Sequence, residues 1–326
     1  MGLGFVCELT PSCNLRCSFC YNVWLEPGGP KIGEPLDAAR WAEILSHLPM
    51  ERVDWICLAG GEPLLSDSLI PLARELRGRY PRVRLGLATN GVLLTEERLG
   101  ELAPLLDYIE LSMLSLDPGR YARITSKDLL PAAKAAMIRV AGTSLPMNVA
   151  ITLLPMPRGE LRRILEFALA FGARQISLNR FAASGRGLRD EPRHRLELDA
   201  LRGLLREADA FGAERRFPLD VTLPVEDCLL PHRDFAHLRF HPCVCGDEKW
   251  TIGPNGQLRA CEQSAAELGD LRRSPFEILR DHPSATELRA QNLRDECLEC
   301  AAWSRCGGGC RFVGRGAQPR SAPLGR

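Results

Sequence analysis

Phe5-Val6-Cys7-Glu8-Leu9-Thr10-Pro11-Ser12-Cys13-Asn14-Leu15-Arg16-Cys17-Ser18-Phe19-Cys20 joins a short apolar run to three thiols spaced CxxxCxxC. The run Phe5–Leu9 predicts a β-strand, and the thiols fall in the loop after it. Three cysteines make an incomplete ligand set. Structural zinc sites and ordinary ferredoxin clusters close with four protein ligands, so Cys13, Cys17 and Cys20 would leave one metal position open for chemistry. A loop of unpaired thiols, or a zinc site borrowing a distant ligand, is the alternative at this point.

Working outward, strand-like runs alternate with helix-like segments to about residue 180, the pattern of repeated βα units and a parallel sheet. The expected strands are Phe5–Leu9, Val53–Leu58, Val83–Ala88, Tyr108–Met113, Met147–Leu153 and Gln175–Leu178. Between them lie helical stretches at Asp37–Leu48, Asp67–Arg79, Glu96–Leu105, Pro131–Val140 and Glu160–Phe171. Six such units make an α/β fold, a curved partial (β/α)6 TIM-like barrel, whose reactive groups collect at the carboxyl ends of the strands. The motifs sit there. The thiol loop follows the first strand, Gly60-Gly61-Glu62-Pro63 the second, Thr89-Asn90-Gly91 the third and Ser112 to Asp117 the fourth.

Composition narrows the classes. The 326 residues suggest about two domains. With 45% apolar and 25% charged residues the chain can bury a sizeable core. A formal net charge of +1 gives no electrostatic reason to expect nucleic acid or an anionic membrane as partner. No apolar run is long enough to span a bilayer, and the N-terminus lacks the pattern of a signal peptide. A cytoplasmic location is expected. There, 13 cysteines argue for metal or redox chemistry over disulfides.

In Gly60-Gly61-Glu62-Pro63 two glycines would let backbone approach a ligand, and the neighbouring carboxylate could accept hydrogen bonds from an ammonium group. Alone, the motif also reads as a strand-to-helix turn with Pro early in the helix. Together with CxxxCxxC it resembles the radical S-adenosylmethionine (SAM) enzymes. That resemblance implies a four-iron, four-sulfur cluster on Cys13, Cys17 and Cys20, its fourth iron chelated by SAM, with the GGEP motif holding the methionyl amino group. It also implies Phe19 near the adenine, and Ser112 or Ser115 near the ribose or carboxylate. The two serines read equally as turn or cap residues. Arg180, after the sixth strand, could meet an anionic substrate or the SAM carboxylate, or simply be solvated. The stretch Ser184 to Arg195, with four arginines, reads as a loop: a solvated basic surface or an acidic-substrate site.

Seven cysteines fall between Cys243 and Cys310. A hairpin is expected from Trp250 to Ala260, turning at Asn255-Gly256. Gly256 with Cys261 gives G-x4-C, and Cys297-x2-Cys300-x5-Cys306-x3-Cys310 follows, an order that resembles the SPASM domain appended to many radical SAM enzymes. Zinc is the other reading of such spacings. The resemblance implies one or two auxiliary four-iron clusters. The first would take Cys243, Cys261 and Cys310, with Cys245 completing it, and the second Cys297, Cys300 and Cys306. A cysteine expected after Cys310 is not found in this sequence, so Cys228, a non-cysteine ligand or an open iron would complete the second set. Cys7 and Cys57 read as small core residues. The domain organisation expected is 1–215 partial barrel, 216–314 auxiliary-cluster domain with a bridging segment, and 315–326 disordered tail.

By the same resemblance, the chain would take an electron from a donor such as flavodoxin or ferredoxin. It would then cleave SAM to a 5'-deoxyadenosyl radical and abstract a hydrogen from substrate. SPASM-bearing enzymes mostly modify peptides or proteins, so crosslinking, thioether formation or dehydrogenation of a peptide is the leading expectation. Only twelve residues precede Cys13, so a leader-binding domain is not expected there, and a separate precursor-recognition protein or direct binding of a short precursor is expected instead. The rivals are a small-molecule oxidase of the tetrapyrrole side-chain type, and a non-enzymatic cluster or zinc carrier. No catalytic base is identifiable from sequence.

Overall fold

The computed structural model describes residues 2–26, 28–291, 293–297 and 299–313; the tail expected from residue 315 lies outside them. Six strands run in sequence order and parallel: β1 Leu3–Glu8, β2 Val53–Ala59, β3 Arg84–Thr89, β4 Tyr108–Ser112, β5 Met147–Leu153 and β6 Gln175–Arg180. Parallel neighbours need crossover connections, and helices supply them: α1 Ala38–Ser46, α2 Leu69–Arg79, α3 Glu96–Leu102, α4 Pro118–Thr125, α5 Leu130–Ala141 and α6 Glu160–Ala170. Several starts are fixed by caps, as Asp37 accepts from Arg40 N at 2.9 Å and Thr95 from Arg98 N at 3.2 Å. This is the partial (β/α)6 barrel expected, with α4 an element that the sequence reading did not anticipate.

Strand alternation sorts the two faces. Ile56 and Leu58 of β2 and Ile109 and Leu111 of β4 are buried in the apolar core shared with the helices. Trp55 and Cys57, then Tyr108, Glu110 and Ser112, lie half-buried on the opposite, inner face.

The sheet does not stop at the expected boundary of 215/216. β7 Leu219–Val221 and β8 Leu238–Phe240 continue it in parallel beyond β6. On the other edge β9 Lys249–Ile252 lies parallel to β1 and turns through Gly256 (φ +79°) into antiparallel β10 Gln257–Arg259, followed by β11 Gly269–Asp270. The expected hairpin is present, and its first strand covers the open edge of β1. An uncovered β1 would present unpaired N–H and C=O groups to any passing strand.

A buried ion pair clamps that junction. Arg259 of β10 and Glu8 of β1, 1% and 2% exposed, are hydrogen-bonded directly. Arg259 also donates to Ser264 O at 2.9 Å, and its guanidinium lies over the Trp24 ring, 4.7 Å from the centroid. Removing one partner of such a pair strands a buried charge. Arg259→Met should therefore cost about 3–5 kcal/mol, read as a fall in Tm, and the double variant Glu8→Gln/Arg259→Met should recover part of the loss. An unchanged Tm in the single variant would contradict the clamp.

Candidate functional site

The thiol loop leaves β1 and is fixed from three sides. Gly61 N donates to Thr10 O at 2.7 Å and Glu62 N to Ser12 O at 2.8 Å, so the end of β2 is bonded along the loop. A Cβ on Gly61 would stand 2.2 Å from Ser12 O, and one on Gly60 (φ +138°) 2.7 Å from Thr10 O. Only glycine permits that approach. Second, Arg16 N and Ser18 N donate to Thr125 O and Ile124 O, both at 2.9 Å. These are carbonyls at the end of α4, where helical partners run out. Third, the segment 184–195 packs on the loop: Gly187 N donates to Cys20 O and Arg186 Nη1 to Cys17 O, each at 3.0 Å.

The arginine-rich segment is more ordered than the loop its composition suggests, although Arg189 and Arg193 are exposed. It forms two short helical turns, Gly185–Leu188 and Glu191–His194, with Ser184, Gly185 and Gly187 buried. Phe19 meets the edge of His194 at 6.3 Å between ring centroids. Arg180 is paired with Glu226 at 3.0 Å and only 9% exposed, so it is not a solvated residue; with Glu191, Arg195 and Glu226 it lines a cavity.

Cys13 is exposed, while Cys17 and Cys20 are half-buried. Burial pushes all three thiols up, and neighbouring sulfurs push Cys13 and Cys17 further in the same sense. Arg186 acts on all three in the opposite sense. Such a set keeps its protons until a metal displaces them. Three converging sulfurs with one exposed side suit a metal cluster that has an open coordination position.

Glu62 has a structural role within the chain. Its side chain is buried, and its carboxylate accepts from Leu64 N at 3.1 Å, Thr89 Oγ1 at 2.6 Å and Asn90 N at 2.9 Å. Burial pushes the carboxyl up, opposed by those donors. Pro63 opens the 3-10 turn Pro63–Leu65 that Glu62 caps. Asn90, positioned by Glu62, donates to Asn14 Oδ1 at 2.8 Å and stands 3.9 Å from Cys13 Sγ. Glu62 thus aligns the end of β3 with the thiol loop. Of the two serines, Ser115 is fully buried and bonded to Glu160, with Asp117 N donating to it at 3.1 Å, a turn residue just ahead of α4, whose cap is Asp117. Ser112 ends β4 on the half-buried inner face.

A second cysteine group lies around the hairpin. Cys243, Cys245 and Cys261 neighbour one another in series, and Cys310 is within electrostatic reach of Cys243. Gly307 permits this, as a Cβ there would lie 3.3 Å from Cys243 N. Cys245, Cys261 and Glu262 also place one donor atom each within 4.8 Å of one another. Cys306 lies instead beside Cys228: Asp227 N donates to Cys306 Sγ at 3.5 Å, and the two thiols feel each other's charge.

Sequence reading missed a charged pair beside Cys245 and Cys261. Lys249 Nζ and Glu262 Oε1 are 2.6 Å apart. Burial disfavours both charges, but Glu262 with Cys245 and Cys261 holds the Lys249 ammonium well above its usual range, and Lys249 holds Glu262 below the usual carboxylate range. Glu110 and Cys57 on the inner face lie within reach of Lys249, and burial pushes Cys57 up to about 12. Cys7 is fully buried, as expected of a core residue. No motif marks Lys249 or Glu262, although Glu262 follows Cys261 directly.

Comparison with known proteins agrees with this arrangement. The Radical SAM superfamily matches residues 7–168. PqqA peptide cyclase of Streptomyces rochei is 28% identical over 322 residues, covering 94% of this chain and 84% of that protein. Pre-heme d1 synthase of Dinoroseobacter shibae is 26% identical over 333 residues, covering 94% and 80%. The crystal structure of Streptococcus suis SuiB bound to S-adenosylmethionine aligns with a TM-score of 0.74 at 16% identity, over 95% of this chain and 73% of SuiB. At that identity the likeness shows the fold. The chain belongs to the radical SAM superfamily and is an enzyme, which sets aside the carrier reading; the family implies a four-iron cluster and SAM. No helix among the described residues is long and apolar enough to cross a membrane.

Because three donors converge on one carboxylate, Glu62→Ala should cost about 3 kcal/mol or more, about 1–3 kcal/mol for each buried donor left unpaired. Thermal unfolding of the metal-free chain checks it. An unchanged Tm would mean that Glu62 is not what holds β3 to the loop.

Proposed function

We propose that this radical SAM enzyme oxidatively modifies a peptide or protein substrate held between two iron–sulfur sites. Cys13, Cys17 and Cys20 would hold the cluster that binds SAM, and Cys243, Cys245, Cys261 and Cys310 an auxiliary one. The bound cluster and SAM supply one-electron cleavage of SAM and a hydrogen-abstracting radical. The observation that carries the reading is the Lys249–Glu262 pair: it stands beside Cys245 and Cys261, while Tyr21, adjacent to Cys20, lies within electrostatic reach of both charges. A substrate lying between the two groups would meet hydrogen abstraction at one end and an electron acceptor at the other. Glu262, kept ionised by Lys249, is placed to take the proton released when the substrate radical is oxidised.

The chain's residues serve this chemistry by position. Gly60, Gly61 and Glu62 fix the loop that carries the open coordination site. Arg186 brings positive charge to its sulfurs and ties Cys17 in place. The inner-face groups Cys57, Tyr108, Glu110 and Ser112 would line the substrate's path.

The pre-heme d1 synthase likeness supports the second reading, a small polycarboxylate substrate. Geometry favours the peptide: Arg180 is committed to Glu226, Arg186 to Cys17 O and Lys249 to Glu262, so three cations near the site are already engaged. A peptide, with few charges per length, needs none of them. The electron donor, of the flavodoxin or ferredoxin kind, and a precursor-recognition protein belong to the same proposal.

The test is anaerobic incubation of reconstituted enzyme, SAM and dithionite with short peptides encoded beside its gene, and separately with a tetrapyrrole carboxylate. A peptide product lighter by two hydrogens, with deoxyadenosine formed alongside, is expected. Turnover of the tetrapyrrole with every peptide unchanged would overturn the peptide assignment.

A further inference from the structure

The late cysteine run has a partner far from it in sequence. Residues 226–228 form a tight turn, with Leu229 N and Leu230 N both donating to Glu226 O, and each of the three is tied towards the segment 294–310. Glu226 lies against Gly309, where a Cβ would stand 2.6 Å from Glu226 Cγ. Asp227 accepts from Arg305 Nη2 at 3.2 Å, and its amide donates to Cys306 Sγ at 3.5 Å. Cys228 Sγ receives Arg294 Nη2 at 3.1 Å, and Arg294 O in turn accepts from Cys297 N at 2.9 Å. Cys297, Cys300 and Cys306 follow on successive turns, joined by Cys300 N to Cys297 O at 3.3 Å and Trp303 N to Cys300 O at 2.9 Å. The turn 226–228 therefore spans both ends of the run.

We propose that Cys228 is the fourth ligand of a second auxiliary four-iron cluster, completing the set Cys297, Cys300 and Cys306. The proposal rests on the auxiliary-cluster reading above. The donor chemistry suits this ion class. Four thiolates are the ligand set of an ordinary closed four-iron cluster. The surroundings suit a thiolate cluster too: the Asp227 amide points at one sulfur and the Arg294 guanidinium at another, the outer-shell donors that hold and tune cluster sulfurs. A ligand from residue 228 would also tie the cluster to Arg180 of β6 through Glu226, and so to the barrel.

The experiment is thiol footprinting of the anaerobically reconstituted full chain with iodoacetamide, before and after removal of clusters by chelator, with iron and sulfide counted on the same samples. Cys228 is exposed, so without a ligand bond it labels readily. The expected result is about twelve irons per chain, with Cys228 and the exposed Cys300 both labelled at least tenfold more slowly in the loaded protein. Cys300 protected while Cys228 labels at the stripped-protein rate would overturn the Cys228 assignment alone. About eight irons, with both thiols labelling freely, would overturn the second auxiliary cluster and Cys228 with it. Cys228→Ala supplies a second readout: loss of iron, or the EPR signal of an oxidised three-iron cluster. Unchanged iron without that signal would contradict ligation.

Discussion

Everything at the catalytic end depends on two missing side chains. Gly60 and Gly61 let the end of β2 lie against the backbone of Thr10 to Ser12, closer than any Cβ allows, and the hydrogen bonds from Gly61 N and Glu62 N follow from that contact. From there the constraint passes outward. Glu62, anchored by its own amide, reaches across to Thr89 and Asn90, and Asn90 reaches back to Asn14 and the Cys13 sulfur. The glycines serve the loop that presents the thiols.

The opposite end is assembled by edge pairing. β9 completes the sheet beside β1, and so brings Cys245, Lys249, Cys261 and Glu262 level with the amino end of β1, away from the end that carries the thiol loop. The Glu8–Arg259 pair ties β1 to β10, the second strand of the β9–β10 hairpin, in the interior, where an unpaired charge would be costly. One sheet thus carries both cysteine groups, and their separation is set by strand pairing, not by a hinge between domains.

How legible this was in the sequence varied with the range of the interactions. The six barrel strands were readable because each combines an apolar run with a following helix, a local signal. Cys13, Cys17 and Cys20 were readable from spacing, as was the hairpin from Asn255-Gly256. β7 and β8, of three residues each, carry too little pattern to be seen. The pairing of β9 with β1 is a contact between segments more than two hundred residues apart and leaves no local trace. Composition named the segment 184–195 a loop, yet its burial depends on what the thiol loop offers it. Lys249 and Glu262 stand at opposite ends of a hairpin, and only folding makes them a pair. Ser115 had two readings from its type alone, and Glu160 decided between them.

The central claim is that Cys13, Cys17 and Cys20 hold the cluster that acts on SAM. The most direct test is deoxyadenosine release from SAM by the anaerobically reconstituted, dithionite-reduced chain, set against the Cys13→Ala/Cys17→Ala/Cys20→Ala variant with iron counted in both. The account predicts deoxyadenosine from the wild type alone and a loss of about four irons in the variant. Equal iron in the two proteins, or equal cleavage of SAM, would contradict it.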